Sequence, residues 1–68
     1  MTTYYMTGTT TCRNRQNAES NVARYGKPAV IREEGNFHIV YRLQTKPAQP
    51  GQFVFRLQEG EEVLNVGR

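Results

Sequence analysis

The stretch VIREEGNFHIVYRL, residues 30–43, places an apolar, β-branched run on either side of the Gly35-Asn36 pair. Both residues of that pair tolerate positive φ, so they predict a two-residue hairpin loop of the primed type. Such a loop sets the register of the two strands, because a slip of one residue would move every side chain to the other face. The predicted opposite pairs are Glu34 with Phe37, Glu33 with His38, Arg32 with Ile39, Ile31 with Val40, and Val30 with Tyr41.

The segment before this hairpin predicts a strand and then one helix. Residues 3–11 are rich in Thr and Tyr, which favour strands, and Gly8 among them indicates a bulge or a close backbone contact. A helix of about three turns follows, with Asn14 as its cap and Gly26 as a left-handed stop before Pro28. Its narrow apolar stripe consists of Ala18, Val22 and Tyr25.

The segment after the first hairpin predicts a loop and a second hairpin. Residues 44–52, QTKPAQPGQ, are polar and contain two prolines and a glycine, so we expect a flexible loop. Two apolar runs, residues 53–57 and 63–66, then flank a turn at Glu59-Gly60. The same pairing rule places Phe55 opposite Leu64 and Phe53 opposite Val66.

Together these elements predict an α+β fold in the order β-α-β-β-β, one antiparallel-rich twisted sheet with a single helix packed on one face. Residues 1–68 are expected to form a single small domain, since so short a chain has room for one core. The core face, under the helix, is expected to carry Phe37, Ile39, Tyr41, Leu43 and the apolar side of the second hairpin. The open face is expected to carry Ala29, Ile31, His38, Val40, Arg42, Val54, Arg56 and Val63.

Glu33, Glu34 and His38 lie close together in the first hairpin and could form an acid-base site. A carboxylate beside an imidazole can raise the basicity of the histidine or fix its tautomer. A general base also needs a cleft, a nucleophile and a group that stabilises developing charge, and a hairpin tip supplies none of these. We therefore expect Glu33 and His38 to form a solvated pair.

The sequence offers no support for several kinds of chemistry. It contains no phosphate-binding loop, paired-carboxylate metal motif, nucleophile elbow or dinucleotide fingerprint. Cys12 is the single cysteine, which excludes an internal disulfide and a cysteine-built zinc site. We expect a partly buried, inert thiol, with a reactive thiol beside Arg13 as the alternative. The prediction is a protein that is not an enzyme, with no catalytic residue, no metal ligand and no cofactor.

Hydropathy, cysteine content and charge indicate the cellular compartment of the protein and the kind of partner that suits it. We expect a cytoplasmic protein with no membrane partner, because no secretory signal and no membrane-length apolar run occurs and the single cysteine suits a reducing compartment. Nine Lys and Arg against six Asp and Glu give a net charge of +3. This charge suits docking on a nucleic acid or an acidic protein surface, and ordinary solubility would also account for it.

The predicted open face and the outer face of the helix are the candidate interaction surfaces. A mixture of arginine and aliphatic side chains is too apolar to stay uncovered on a monomer, so we expect a partner or the N-terminal segment to cover it, with a second copy in a homodimer as a further alternative. RNA-binding sheets display stacking aromatics, which here lie mainly on the predicted core face. The candidate partner-binding residues are Arg42, Arg56, Arg15, Arg24, Val40, Val54 and Tyr5.

We therefore expect a non-catalytic binding protein that docks on a larger protein or nucleoprotein complex that handles nucleic acid. The alternative is direct binding of DNA or RNA through the same basic residues. By size and composition, the chain is similar to the small α+β accessory and inhibitor proteins that bacteriophages and mobile elements encode, anti-CRISPR proteins among them.

A second similarity is local. In residues 4–43, a strand ends around Gly8, Asn17-Ala18-Glu19 opens a helix, and a strand of small residues leads into the hairpin. This order of features resembles one half of a SPOR domain, a bacterial module that binds denuded peptidoglycan glycan strands. The resemblance implies the order β-α-β-β and, as a second alternative function, SPOR-like glycan binding.

Overall fold

The computed structural model describes residues 2–47 and 49–66. The elements are β1 (Tyr4–Cys12), α1 (Arg15–Tyr25), β2 (Ala29–Glu34), β3 (Phe37–Gln44) and β4 (Val54–Phe55). The four strands form one antiparallel sheet in the spatial order β2-β3-β1-β4. The predicted α+β fold and its order of elements are confirmed.

The hairpin of β2 and β3 has the register that the sequence predicts. All the predicted opposite pairs are present, and Glu34 lies opposite Phe37 next to the turn. Gly35 has a φ of 61°, whereas the φ of Asn36 is not positive. Positive φ at the first loop position alone is the pattern of a type II′ turn, which favours glycine there.

β1 lies inside the sheet, between β3 and β4. Its register against β3 shifts between Met6 and Gly8, so the predicted bulge is confirmed. The predicted close contact is present as well, because a Cβ added at Gly8 would stand 2.7 Å from Nη2 of Arg42. Glycine therefore lets the Arg42 guanidinium lie against the backbone of β1.

The helix α1 begins and ends at the predicted caps. The Asn14 side chain accepts a hydrogen bond from the backbone N–H of Asn17 at 2.8 Å. Gly26 has a φ of 72°, and its N–H donates to the Val22 carbonyl at 3.1 Å. Each cap satisfies a backbone group that the end of a helix leaves without a partner.

The helix covers the face of the sheet opposite to the predicted one. Ala18 and Val22 of α1 form a buried cluster with Ala29 of β2 and Val40 of β3. Four further side chains pack around the cluster, namely Cys12, Tyr25, Ile31 and Leu64. The expectation that Ala29, Ile31, His38, Val40 and Arg42 lie on an open face is therefore wrong.

Side-chain size explains this choice of face. The helix buries only Ala18 and Val22, so it can approach the sheet closely where small side chains lie opposite. Val40 meets that condition, whereas Tyr41 and Leu43 on the other face are larger. The alternation of side chains along the strands could not reveal which face the helix covers, because both faces of β2 and β3 carry apolar residues.

The C-terminal part of the chain covers the second face of the sheet. β4 pairs with β1 at one edge, while Leu64 exchanges backbone hydrogen bonds with Ala29 of β2 at the other edge. Residues 56–63, which we call the crossing segment, therefore pass from one edge to the other. Arg32, on the side of β2 that points away from the helix, binds Glu61 of this segment. The crossing segment consequently lies on the face without the helix.

The predicted second hairpin is wrong, although its turn exists. Gly60 has a φ of 82°, as a glycine turn requires, but residues 63–66 form no strand beside β4. The backbone of Leu64 pairs with β2 instead. Val30 and Leu43 are buried on this second face, at 1% and 0% exposure. The molecule thus buries side chains on both faces of its sheet.

The predicted loop and the two ends of the chain each include residues outside the described ranges. β3 extends to Gln44, and Ala48 within the predicted loop lies outside the described residues, so the flexibility of residues 44–52 stays a prediction. Met1 and residues 67–68 of the predicted single domain also lie outside them. Within residues 2–47 and 49–66, no helix has the length and apolar character needed to cross a membrane.

Candidate protein-docking surface

Three of the predicted partner-binding residues meet at the β4 edge of the sheet. Tyr5 of β1 is the direct partner of Val54 in β4, so their side chains leave the sheet on the same side. Phe53 directly precedes this short strand, and Arg56 and Leu57 directly follow it. We call Tyr5, Phe53, Val54, Arg56 and Leu57 the edge patch.

The edge patch exposes large apolar side chains. Phe53 is 75% exposed, Val54 is 49% exposed and Leu57 is 46% exposed, although they lie within one short run of sequence. Phe37, at 45%, and Val66, at 63%, are exposed elsewhere along the chain. Single exposed hydrophobic residues are ordinary, whereas a cluster of them on a small domain indicates an interaction site.

β4 also directs backbone groups away from the sheet. The Met6 N–H donates to the Phe53 carbonyl at 3.1 Å, and Tyr4 is the partner of Phe55, so Phe53 and Phe55 are the residues that bond to β1. In an antiparallel ladder the residue between them points its N–H and C=O the other way. The backbone of Val54 is therefore directed toward the free edge, because β4 is the last strand of the sheet.

Two grooves border the edge patch. One groove, of about 470 Å³, is lined by Tyr5, Pro47, Pro50 and Gln52. The other, of about 310 Å³, is lined by Thr2, Thr3, Tyr4, Phe55 and Leu57. The first offers tyrosine and proline surfaces, and the second places hydroxyl groups beside apolar side chains. A bound segment therefore has room for side chains in both grooves.

Arg56 is the charged residue of the edge patch, and it is exposed. Its guanidinium forms no ion pair within the described part of the chain. Its backbone carbonyl accepts a hydrogen bond from Nη2 of Arg32 at 3.3 Å, which anchors the main chain at this position. The side chain is thus available to a carboxylate of a partner, and the apolar groups around it would strengthen such a contact by excluding water.

Arg32, Glu61, Tyr41 and Phe55 form a clasp that ties β4 and the crossing segment to the sheet. Nε and Nη2 of Arg32 donate to the two carboxylate oxygens of Glu61, each at 2.7 Å. The Arg32 and Glu61 side chains are only 18% and 13% exposed. The guanidinium carbon lies 4.9 Å from the ring centres of both Tyr41 and Phe55. These contacts hold Phe55 in place, and with it the neighbouring edge patch.

The clasp shifts the pKa values of its members. Hydrogen bonds from Arg32 lower the pKa of the Glu61 carboxyl, against the opposing effect of burial, and the Gln58 backbone N–H adds a hydrogen bond at 2.7 Å. The same pair raises the pKa of Arg32. The hydroxyl of Tyr41 donates to the Glu34 carboxylate, and that hydrogen bond raises the pKa of Tyr41. Arg32 and Glu61 are therefore both charged at neutral pH.

The clasp is absent from the sequence-based predictions, although the sequence carries a signal for it. Arg32 lies opposite Ile39 on the face that also carries Val30 and Tyr41, and a charged side chain that is covered there needs a partner. The candidates are Glu34 on the same face of β2 and the three C-terminal glutamates, Glu59, Glu61 and Glu62. The sequence does not reveal which of them crosses the sheet, since the crossing follows from the pairing of Leu64 with Ala29.

Val40 and Arg42, two further predicted binding residues, lie on the face that the helix covers. Val40 is 0% exposed and belongs to the core. The Arg42 guanidinium donates to the Thr10 hydroxyl and to the Thr9 carbonyl, the second at 3.4 Å. Their expected position on an open face is therefore corrected, because Val40 is buried and Arg42 has its donors engaged with β1.

Arg15 and Arg24, the remaining predicted binding residues, are exposed on the outer face of α1. Nε of Arg15 lies 3.6 Å from a carboxylate oxygen of Glu19, and both side chains are at least half exposed, so the pair contributes little stability. Arg24 is in the last helical turn, where a positive charge interacts favourably with the helix dipole. The seven predicted residues are thus divided among the edge patch, the helix and the helix-covered face.

Cys12, His38 and Glu33 form a row across β1, β3 and β2. Nδ1 of His38 lies 3.6 Å from Oε1 of Glu33, which is too far for a hydrogen bond, and this nitrogen is buried without a hydrogen-bond partner. The expected solvated pair holds for Glu33, at 69% exposure, but not for His38, at 20%. In the described part of the chain, no group of three His, Cys, Asp or Glu residues is arranged to hold a metal ion.

Comparisons with protein families, with curated proteins and with solved structures each find no match to this chain. The similarity of residues 4–43 to half of a SPOR domain therefore stays a prediction. The candidate surface is supported by the exposure, the backbone direction and the charge of the edge patch.

Proposed function

We propose that this chain is a non-catalytic binding protein that docks on a larger protein through the edge patch. The observation that carries the proposal is the exposure of Phe53, Val54 and Leu57 together at the free edge of the sheet. Full burial of an apolar side chain of this size is worth about 1.5–3 kcal/mol. Phe53 and Arg56 are of residue types that are enriched at the centres of protein interfaces, and Val54 and Leu57 add apolar area beside them.

Protein docking is better supported than direct binding of DNA or RNA. The guanidinium groups of Arg32 and Arg42 are engaged inside the fold, and Arg15 lies beside Glu19. Nucleic-acid binding draws on several free cations along one surface, because its affinity comes largely from phosphate contacts. The edge patch contributes one such cation, Arg56, among apolar groups.

In this proposal the partner belongs to a complex that handles nucleic acid, and the chain is an accessory factor or an inhibitor of it. The net charge of +3 favours approach to an acidic protein surface or to a nucleoprotein. The chain would act by occupying a surface, which requires no chemistry of its own. A cytoplasmic setting is part of the proposal, because Cys12 is a free cysteine.

Capture of partners from a nuclease-treated cell lysate tests the proposal. The immobilised protein is compared with two variants. Phe53→Ser alters the edge patch, and Phe37→Ser makes the same substitution at an exposed phenylalanine of the hairpin turn. We expect a discrete protein that the unmodified chain and Phe37→Ser both retain and that Phe53→Ser loses. Thermal unfolding of each variant by circular dichroism confirms that it is folded.

Two outcomes would contradict the proposal. Equal recovery of every protein by Phe53→Ser and by the unmodified chain would mean that the edge patch binds nothing. A gel shift with oligonucleotides at low salt that weakens steeply as salt rises would support the nucleic-acid alternative instead.

A further inference from the structure

We infer that the partner presents an extended, acidic and apolar segment that adds to β4 as a further strand and brings a carboxylate to Arg56. The inference rests on the proposed function, since it specifies the chemistry of the partner of the edge patch. The backbone, the apolar side chains and the charge of the edge patch each contribute a separate reason for it.

The backbone of β4 supports strand addition. Val54 directs its N–H and C=O toward the free edge, while Phe53 and Phe55 hold the strand to β1 on the other side. An added strand would satisfy both groups of Val54, as in β-augmentation. Because β4 is only two residues long, few backbone hydrogen bonds are available and side chains must supply most of the affinity.

The apolar side chains of the edge patch fit an extended segment. Successive residues of a strand point to opposite faces, so Val54 with Tyr5 lies on one side, and Phe53 and Phe55 lie on the other, with the exposed Leu57 just beyond the strand. The grooves of about 470 Å³ and 310 Å³ add space for further side chains. An added strand would therefore contact apolar surface with the side chains of both its faces.

The charge of the edge patch specifies an acidic partner. Arg56 is exposed, and its guanidinium has no ion pair within the described part of the chain. The Arg56 carbonyl accepts a hydrogen bond from Arg32 of the clasp, which fixes the position of the backbone that carries the side chain. A carboxylate is the group that a guanidinium binds with two parallel hydrogen bonds, and the overall charge of +3 favours the approach of an acidic segment.

A second copy of the chain matches this surface less well. Antiparallel pairing of two β4 strands about Val54 would place Arg56 of one copy opposite Gln52 of the other, and a register shifted by two residues would place it opposite Val54. Neither register supplies a carboxylate, and each copy carries the same charge of +3. A foreign acidic segment is therefore the better occupant.

Selection from a displayed library of random linear peptides tests this inference. The unmodified protein, Arg56→Glu and the control Arg24→Glu on the helix are used as separate baits. We expect the unmodified protein and Arg24→Glu to enrich peptides with alternating apolar residues and at least one Asp or Glu, and Arg56→Glu to enrich Lys or Arg instead. An acidic peptide from the first selection should bind Arg56→Glu about tenfold more weakly, as measured by fluorescence anisotropy.

N-methylated versions of the enriched peptide test strand addition without altering the protein. Methylation removes one backbone N–H at a time, so loss of binding is expected at alternate positions, where the N–H faces β4. Uniform effects along the peptide, or none, would contradict strand addition.

The remaining outcomes separate this inference from the proposed function. If lysate capture depends on Phe53 while the selected peptides lack acidic residues or bind Arg56→Glu unchanged, the docking surface stands and the acidic strand is wrong. If analytical ultracentrifugation shows a dimer that Phe53→Ser dissociates, a second copy occupies β4 and the inference is overturned. If neither capture nor selection depends on the edge patch, both proposals fail.

Discussion

Arg32 connects four parts of the molecule through one side chain. It starts from β2, lies against Tyr41 of β3 and Phe55 of β4, and binds Glu61 of the crossing segment. A guanidinium can do this because its flat faces stack on rings while its edge donates to a carboxylate. The position of Arg32 on a covered face of the sheet requires a partner, but the identity of Glu61 follows only from the path of the chain.

The clasp makes a testable contribution to stability. Glu61→Gln keeps the size of the side chain but removes its charge, so we expect the free energy of unfolding at neutral pH to fall by about 1–3 kcal/mol. Arg32 lowers the pKa of Glu61, so the stabilisation is complete above the ordinary value of 4.5 and is lost as the pH falls through the lower pKa of the folded state. Urea titrations over a series of acidic pH values measure this loss.

Glu62→Gln is the matched control, because Glu62 is an exposed neighbour in the same segment. We expect the control to retain the acid sensitivity of the unmodified protein and Glu61→Gln to lose part of it. Identical stability and identical pH dependence in the two variants would show that the clasp contributes nothing.

At the scale of elements, the helix ends and the first hairpin could be predicted because each depends on neighbouring residues. The Asn14 cap bonds to the N–H of Asn17, and the Gly35 turn joins strands that are adjacent in sequence. The short β4 and the absence of a strand at residues 63–66 could not be predicted in this way. There the apolar pattern suits a hairpin, and a distant backbone pairing of Leu64 competes with it.

The cap of α1 gives a prediction at this scale. Asn14→Ala removes the side-chain oxygen that accepts from the Asn17 N–H, so we expect a loss of about 1 kcal/mol in the free energy of unfolding. Asn17→Ala is the control, because it keeps its backbone N–H, and Asn14→Asp should retain the cap. Thermal and urea unfolding followed by circular dichroism measure the differences. A loss in Asn17→Ala equal to that in Asn14→Ala would argue against a role for the cap.

At the scale of the whole molecule, a different segment of the chain lies on each face of the sheet. The helix covers the Val40 face, and the crossing segment lies on the other face, where Glu61 binds Arg32 and where Val30 and Leu43 are buried. This arrangement leaves the β4 edge as the place where large apolar side chains stay exposed together. The candidate docking surface thus results from the positions of the helix and the crossing segment, which leave the β4 edge exposed.

Paired core substitutions test the two-sided core. We expect Leu43→Ala to cost about 2–5 kcal/mol and Val40→Ala about 2 kcal/mol, since both residues are 0% exposed. Phe37→Ala, at the exposed hairpin turn, should cost much less. Chemical denaturation measures the free energy of unfolding of the three variants. If Val40→Ala left it unchanged, the Val40 face would be open, as the sequence predicts. If Leu43→Ala left it unchanged, the second face would not be covered.

The sequence by itself determined the helix with its caps, the first hairpin with its register, and the bulge at Gly8, because each depends on residues that are close along the chain or on one strand pattern. Only the tertiary structure decided which face the helix covers, where Glu61 meets Arg32, and that Tyr5, Val54 and Arg56 share an edge. These features depend on side-chain sizes summed over a whole face and on backbone pairing between distant segments. Neither quantity can be read from a local pattern of residues.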